Sequence, residues 1–286
     1  MKADKCEKSG NKYTPGPIGI FDSGYGGLTI LDGIRRALPE YDYLYLGDNA
    51  RAPYGTRSFD IVFDFTRQAV EELFSRGCHL VILACNTASA KALRSIQQQV
   101  LPTLYPERRV LGVIRPTVEK VGEISRSGHL GLLATPGTVR SHSYMLEIAK
   151  LHPDMQLTET ECPMWVPLIE TGEAMGPGAD YFVKKYIDRT MAADPQIDTL
   201  LLGCTHYPIL LPKIKAYAPE GVKVLAQGDI VGRSLADYLR RHPEMEAKCT
   251  KGGVTSYFTT ENADIFNRLA SLFTGDDVAA SRITLS

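Results

Sequence analysis

Short apolar runs recur along the chain, spaced so that a helix fits between most of them. Residues 18–21, 43–46, 80–84, 110–113, 130–134, 157–160, 199–202, 222–226 and 256–259 are each of strand length. Most lack an alternating polar face, the pattern of parallel strands covered on both sides. Amphipathic stretches lie between them. One helix is predicted over residues 59–75, with Ile61, Phe65, Val70 and Leu73 as its apolar stripe, and another over 181–193. The alternation predicts an α/β fold, in which ligands bind beyond the carboxyl ends of the strands.

Two of these runs end alike. Leu80-Val81-Ile82-Leu83-Ala84 stops at Cys85-Asn86-Thr87, and Thr199-Leu200-Leu201-Leu202-Gly203 stops at Cys204-Thr205-His206. Each reads as a buried strand, then a thiol, then polar residues opening a helix. The separation leaves room for each copy in its own α/β unit. The expected architecture is two pseudo-symmetric, doubly wound parallel-sheet domains facing each other across a cleft. Arg115-Pro116 marks a crossover and Gln227-Gly228-Asp229 a return. The expected division is a polar tail over 1–17, a discontinuous first domain of 18–114 plus 228–286, and a second domain of 115–227.

Composition narrows the partners. With 32 Lys+Arg against 33 Asp+Glu, the balance argues against a dedicated nucleic-acid binder, which would need a basic face, so no nucleic-acid partner is expected. No apolar run approaches the roughly 20 residues of a membrane span, and residues 1–17 lack a signal-peptide core. A cytoplasmic protein is expected, its six cysteines reduced. No Cys-x-x-Cys pair occurs and the histidines are scattered, so no metal site is expected. Exposed helices are compatible with a homodimer.

The glycine-rich turn Asp22-Ser23-Gly24-Tyr25-Gly26-Gly27-Leu28-Thr29 begins like a dinucleotide fingerprint, and Asp48 ends the next strand. Thr29, however, stands at the third glycine position, and Asp22 puts a carboxylate where phosphates would approach. A tight strand–helix turn is the simpler reading. The helix amides there would also suit a substrate carboxylate, with Asp22 and Ser23 facing an ammonium group or polarising a nearby acid. Cys6, Cys78 and Cys249 fit ordinary burial or exposure, and Cys162 fits packing. Cys85 and Cys204 differ, because helix N-terminal amides favour thiolate. An unperturbed thiol titrates near 8.5, so modest help makes a base usable near neutrality. From the residues alone, His206 is a structural histidine or an acid/base, Glu170 a solvated carboxylate or a site acid, and Tyr54 a ligand contact or a cap on the core.

Taken together, Gly19-Ile20-Phe21-Asp22-Ser23-Gly24, Tyr45-Leu46-Gly47-Asp48, Pro53-Tyr54-Gly55, Ala84-Cys85-Asn86-Thr87-Ala88, Gly112-Val113-Ile114 and Gly203-Cys204-Thr205-His206-Tyr207-Pro208 resemble the cofactor-independent aspartate/glutamate racemase family. The last motif looks like its glutamate racemase branch, which supplies D-glutamate for peptidoglycan. The resemblance runs from about residue 18 to 260. It implies glutamate as substrate, no cofactor, and Cys85 and Cys204 as acid/base catalysts. The first would deprotonate the D isomer and the second the L isomer. It also implies substrate contacts from Asp22, Ser23, Tyr54, Gly55, Asn86, Thr87, Thr135, Thr205 and His206, and a place for Glu170 beside that histidine. Among the readings that stay open are another substrate (aspartate, a hydantoin or a malonate-type acid) and a non-enzymatic sensor. Racemases that use pyridoxal phosphate need an anchoring lysine, and none stands in these motifs.

Overall fold

The computed structural model describes residues 13–275 and 277–285. Cys6 and most of the expected tail lie outside these. Among the described residues the strands are β1 (Ile18–Asp22), β2 (Tyr43–Gly47), β3 (Leu80–Leu83), β4 (Arg109–Gly112), β5 (His129–Ala134), β6 (Gln156–Glu161), β7 (Thr199–Gly203), β8 (Lys223–Leu225), β9 (Thr255–Thr259) and β10 (Ala280–Arg282). They form two wholly parallel sheets, ordered β10-β9-β2-β1-β3-β4 and β6-β5-β7-β8. In each sheet the first strand lies between the second and third, and the fourth lies outside the third. By this order β1 corresponds to β5, and β3 to β7.

Every predicted strand is present, with ends moved by a residue or so. β10 was not foreseen. Its Ala-Ser-Arg sequence is half to fully exposed at the sheet edge, so no apolar run announces it.

Alternating residues explain why both sheets are buried on both faces. In the first sheet Ile18, Ile20, Leu80 and Ile82 join one apolar cluster, while Phe21, Val81 and Leu83 join another. In the second, Leu130, Leu132 and Leu201 face one side, and Leu133, Leu200 and Leu202 the other. Helix Phe59–Ser75 forms where predicted, but its buried stripe is Val62, Thr66, Ala69, Val70, Leu73 and Phe74. Ile61 is exposed, a correction of the predicted stripe. The apolar residue one step on, Val62, aligns with Thr66, Ala69 and Leu73 at helical spacing. The predicted 181–193 helix begins earlier, as Pro177–Ala193, with proline in its first turn.

The end of the expected tail is docked. The Gly16 amide donates to the Lys248 carbonyl at 3.0 Å, and the Thr250 amide donates to the Gly16 carbonyl at 2.9 Å. The chain leaves the first sheet after β4 through helix Ile114–Ile124 and returns after β8 through helix Gly228–Arg241. Among the described residues no helix is long and apolar enough to cross a membrane.

Candidate active site

β3 and β7 end at corresponding places, and each delivers a cysteine to the same cavity. The cavity measures about 110 Å³, a size suited to a small metabolite. Ser23, Tyr54, Gly55, Cys85, Asn86, Thr87, Thr135, Glu170, Cys204, Thr205 and His206 all line it. Cys162, Val166 and Pro167 also line it and were not foreseen as neighbours of the site. Cys162 is buried, as its packing role requires. No lysine is among the described residues that line it.

The two thiols have different neighbours. Cys85 precedes helix Asn86–Lys91, and its sulfur accepts the Ala88 amide hydrogen at 3.4 Å. Ser23 Oγ lies 3.3 Å from the same sulfur. Burial, reinforced by the nearby Asp22 charge, pushes the Cys85 thiol up to about 12, although the Ser23 and Ala88 hydrogen bonds oppose it. This corrects the expectation of a base ready near neutrality: loss of hydration outweighs the amide. Cys85 rests as a thiol.

Cys204 has His206 as its partner, with Sγ and Nδ1 3.9 Å apart. The other ring nitrogen, Nε2, meets Glu170 Oε1 at 3.0 Å. Burial alone would lower the His206 pKa, but hydrogen bonds to Cys204 and Glu170, and their charges, lift it to about 10. The ring is therefore an imidazolium at neutral pH, set between a sulfur and a carboxylate.

Asp22 is fully buried and is not among the cavity-lining residues. Its carboxylate accepts the Gly24 amide at 2.9 Å and the Thr205 hydroxyl at 3.4 Å. Burial raises its pKa against the pull of His206, the Gly24 and Gly27 amides and Thr205. Of the amides opening helix Gly27–Ala37, that of Gly27 goes to Asp22, and those of Leu28 and Thr29 donate to the Tyr25 and Gly26 carbonyls at 3.0 Å, which corrects their expected role toward a substrate carboxylate. Gly26 has a packing reason to be glycine. A Cβ there would lie 2.3 Å from Thr205 Oγ1 and 2.4 Å from His206 Nδ1, so the turn of one half fits against the second cysteine motif of the other. Thr29 adds a hydrogen bond to the Thr205 carbonyl at 3.0 Å.

The remaining wall joins the halves again. The Gly137 amide donates to the Gly55 carbonyl at 2.7 Å. Thr87, Thr135 and Thr138 bring three hydroxyls together, with Thr87 and Thr135 3.1 Å apart. Tyr54 lines the cavity but is buried in the core, and its hydroxyl donates to Asp48. Asp48 also accepts from Arg51 Nε at 2.7 Å and from the Thr260 hydroxyl at 2.9 Å, pinning this loop. Asn86 Nδ2 donates to Gln227 Oε1 at 2.6 Å, and the Tyr144 hydroxyl donates to Asn86 Oδ1 at 2.7 Å. Gln227 and Tyr144 gave no signal as site residues in the sequence.

Two parallel-sheet halves with a thiol from each at one cavity define a class. Residues 24–232 match the model of the Asp/Glu/Hydantoin racemase family, and the chain belongs to that family. Within it, the chain is 41% identical over 267 residues to a glutamate racemase of Ruegeria sp. (strain TM1040), covering 90% of this chain and 96% of that protein. The glutamate racemase isoform RacE1 of Bacillus anthracis superposes with a TM-score of 0.86 at 29% identity, covering 96% of this chain and 99% of that one. The Francisella tularensis glutamate racemase, solved in complex with D-glutamate, superposes at 0.82 with 31% identity, over 94% of this chain and 97% of that one.

Proposed function

We propose that the chain is a glutamate racemase acting without a cofactor, through Cys85 and Cys204 as paired acid and base. The observation that carries this is the delivery of the two thiols by corresponding strands, β3 and β7, to one small cavity. The relatives' names supply the substrate, and the residues supply the chemistry. L-Glutamate binds with its α-carbon between the sulfurs. The Cys204 thiolate, beside the His206 imidazolium, takes the α-proton. The Cys85 thiol, protonated at rest, gives its proton to the opposite face. The product is D-glutamate, with Cys204 now a thiol and Cys85 a thiolate. The reverse reaction runs from that state.

The carbanion-like transition state is stabilised electrostatically, by donors placed where charge develops. Asn86, Thr87 and the Thr205 backbone serve the carboxylate at the reacting carbon, the Thr205 hydroxyl being turned to Asp22, with Thr135 and the Gly55 backbone closing the far wall. Ser23 faces the ammonium, and Asp22 holds Thr205 from behind. Glu170 keeps the imidazole in place. The product serves peptidoglycan synthesis in the cytoplasm.

The test is solvent-deuterium incorporation at the glutamate α-carbon by the purified chain with no added cofactor, followed by proton NMR alongside optical rotation. Both enantiomers exchange and racemise. Aspartate or a hydantoin racemising while glutamate stays inert would replace the substrate. Activity abolished by chelation and restored by metal would replace the mechanism.

A further inference from the structure

Four buried side chains from four separate segments meet behind the cavity. Asn86 follows Cys85. Thr117 is on helix Ile114–Ile124, through which the chain leaves the first sheet. Tyr144 is on helix Ser143–Leu151. Gln227 caps helix Gly228–Arg241, through which the chain returns.

Their hydrogen bonds run in one self-consistent direction. The Thr117 hydroxyl donates to the Val113 carbonyl at 2.7 Å, so its oxygen accepts one Nε2 hydrogen of Gln227 at 2.8 Å. The other Nε2 hydrogen goes to the Tyr144 oxygen at 2.8 Å. Tyr144, having accepted, donates to Asn86 Oδ1, and Gln227 Oε1 accepts from Asn86 Nδ2. Turning the Asn86 amide over would set its oxygen against Gln227 Oε1, two acceptors with no hydrogen between them. A carboxamide nitrogen carries two hydrogens. Gln227 takes one, and Asn86 lines the cavity.

We propose that Gln227, with Tyr144, is a positioning residue that fixes the Asn86 amide so that its second N–H is presented to the substrate carboxylate. The proposal rests on the reading of Asn86 as a substrate contact. Because Gln227 and Thr117 sit on the two passages of chain between the sheets, the network ties the pose of that donor to the relative placement of the two halves.

The experiment compares Asn86→Ala, Gln227→Leu, Tyr144→Phe and the doubles Asn86→Ala/Gln227→Leu and Asn86→Ala/Tyr144→Phe, in glutamate racemisation and in glutamate binding by calorimetry. Each single variant lowers kcat/KM roughly tenfold, the scale of one charge-assisted hydrogen bond. In the Asn86→Ala background neither second change costs anything further, because the group being positioned is gone. A merely structural role would cost the same in either background. Tyr144→Phe keeps the ring in the core and carries the test if Gln227→Leu does not fold. Wild-type kcat/KM in Gln227→Leu and Tyr144→Phe beside an impaired Asn86→Ala would overturn the positioning role and leave the contact standing. Full additivity would overturn it too. An unchanged Asn86→Ala would remove the contact itself, and the proposal with it.

Discussion

Cys85 and Cys204 occupy corresponding places in two sheets that share the order of their first four strands, yet only one of them has a cation beside it. Around Cys85 stand a hydroxyl, one helix amide and, behind them, the buried Asp22 carboxylate. Beside Cys204 stands an imidazolium backed by Glu170. Duplicated topology supplies matched geometry, two sulfurs at one cavity. The neighbours then break the symmetry, so that one sulfur keeps its proton at rest and the other has a cation beside it. A racemase needs that difference, since base and acid must coexist before either enantiomer reacts.

Thermodynamics limits where the asymmetry can be read. L- and D-glutamate have equal free energies in water, so kcat/KM is equal in both directions for the wild type and for every variant. The two ends are separated only by kcat and KM taken singly, or by a half-reaction that uses one sulfur. Exchange of the α-proton with deuterium oxide is such a half-reaction.

The largest effect is expected from the sulfurs themselves. Serine keeps nearly the shape of cysteine but is a far weaker acid. Cys85→Ser and Cys204→Ser each lose racemisation, by at least the roughly 10²–10⁴-fold typical of a removed acid/base group. Each keeps one face. Cys204→Ser retains exchange of D-glutamate through Cys85, and Cys85→Ser retains exchange of L-glutamate through Cys204, read by proton NMR of each enantiomer. Racemisation at the wild-type rate by either variant would end the two-thiol mechanism. Exchange of the opposite enantiomers would keep the mechanism and swap the faces.

Next comes the cation. His206→Asn removes the charge beside Cys204 and lowers kcat/KM by roughly ten- to a hundredfold, the scale of a lost charge-assisted interaction. In the Cys85→Ser background it suppresses L-glutamate exchange strongly. In the Cys204→Ser background it affects D-glutamate exchange less. Equal suppression on both faces would show His206 serving the substrate generally, and the contrast between the two ends would fall.

The sequence carried the frame of this comparison and little of its polarity. Strands buried on both faces announce themselves as apolar runs, so the two Cys-terminated strands were visible, and with them most of the cavity wall. β10 was not, because a short polar edge strand has no such run. Gly26 was visible as a turn, but its reason to be glycine lies in Thr205 and His206, far along the chain. The helix start beside Cys85 pointed to thiolate. What decides its state is burial and the Asp22 carboxylate, properties of the assembled core. Gln227 and Tyr144 reach Asn86 only through contacts distant in sequence, and nothing near them in the chain marks a site.

A smaller effect follows from the carboxylate that holds the imidazole. In the folded protein the His206 pKa is raised from 6.5 to about 10. The stabilisation from this shift is therefore complete below pH 6.5 and is lost as pH rises through 10. Glu170→Gln removes one source of the shift. It costs stability by about 1–2 kcal/mol near pH 6, and the gap to wild type narrows as pH climbs toward 10. Urea unfolding at a series of pH values measures it. A gap that widens with pH would mean that Glu170 does not hold a charged ring.

The smallest effect belongs to the Cys85 end. Ser23 Oγ lies 3.3 Å from the Cys85 sulfur, and its hydrogen bond works against the burial that lifts the thiol. Ser23→Ala removes that opposition, so Cys85 becomes a still weaker acid. Proton delivery to the carbanion weakens, and so does capture of the α-proton of D-glutamate, because the thiolate state is harder to reach. A hydrogen bond to sulfur sits low on the usual scale, so kcat/KM falls only about two- to fivefold. The informative measurement is again one-sided. In the Cys204→Ser background, D-glutamate exchange slows and its pH profile moves to higher pH. In the Cys85→Ser background, L-glutamate exchange changes less. If L-glutamate exchange fell as much, Ser23 would act through the substrate ammonium it faces and not through the sulfur. The polarity of the two ends would then rest on His206 and Asp22 alone.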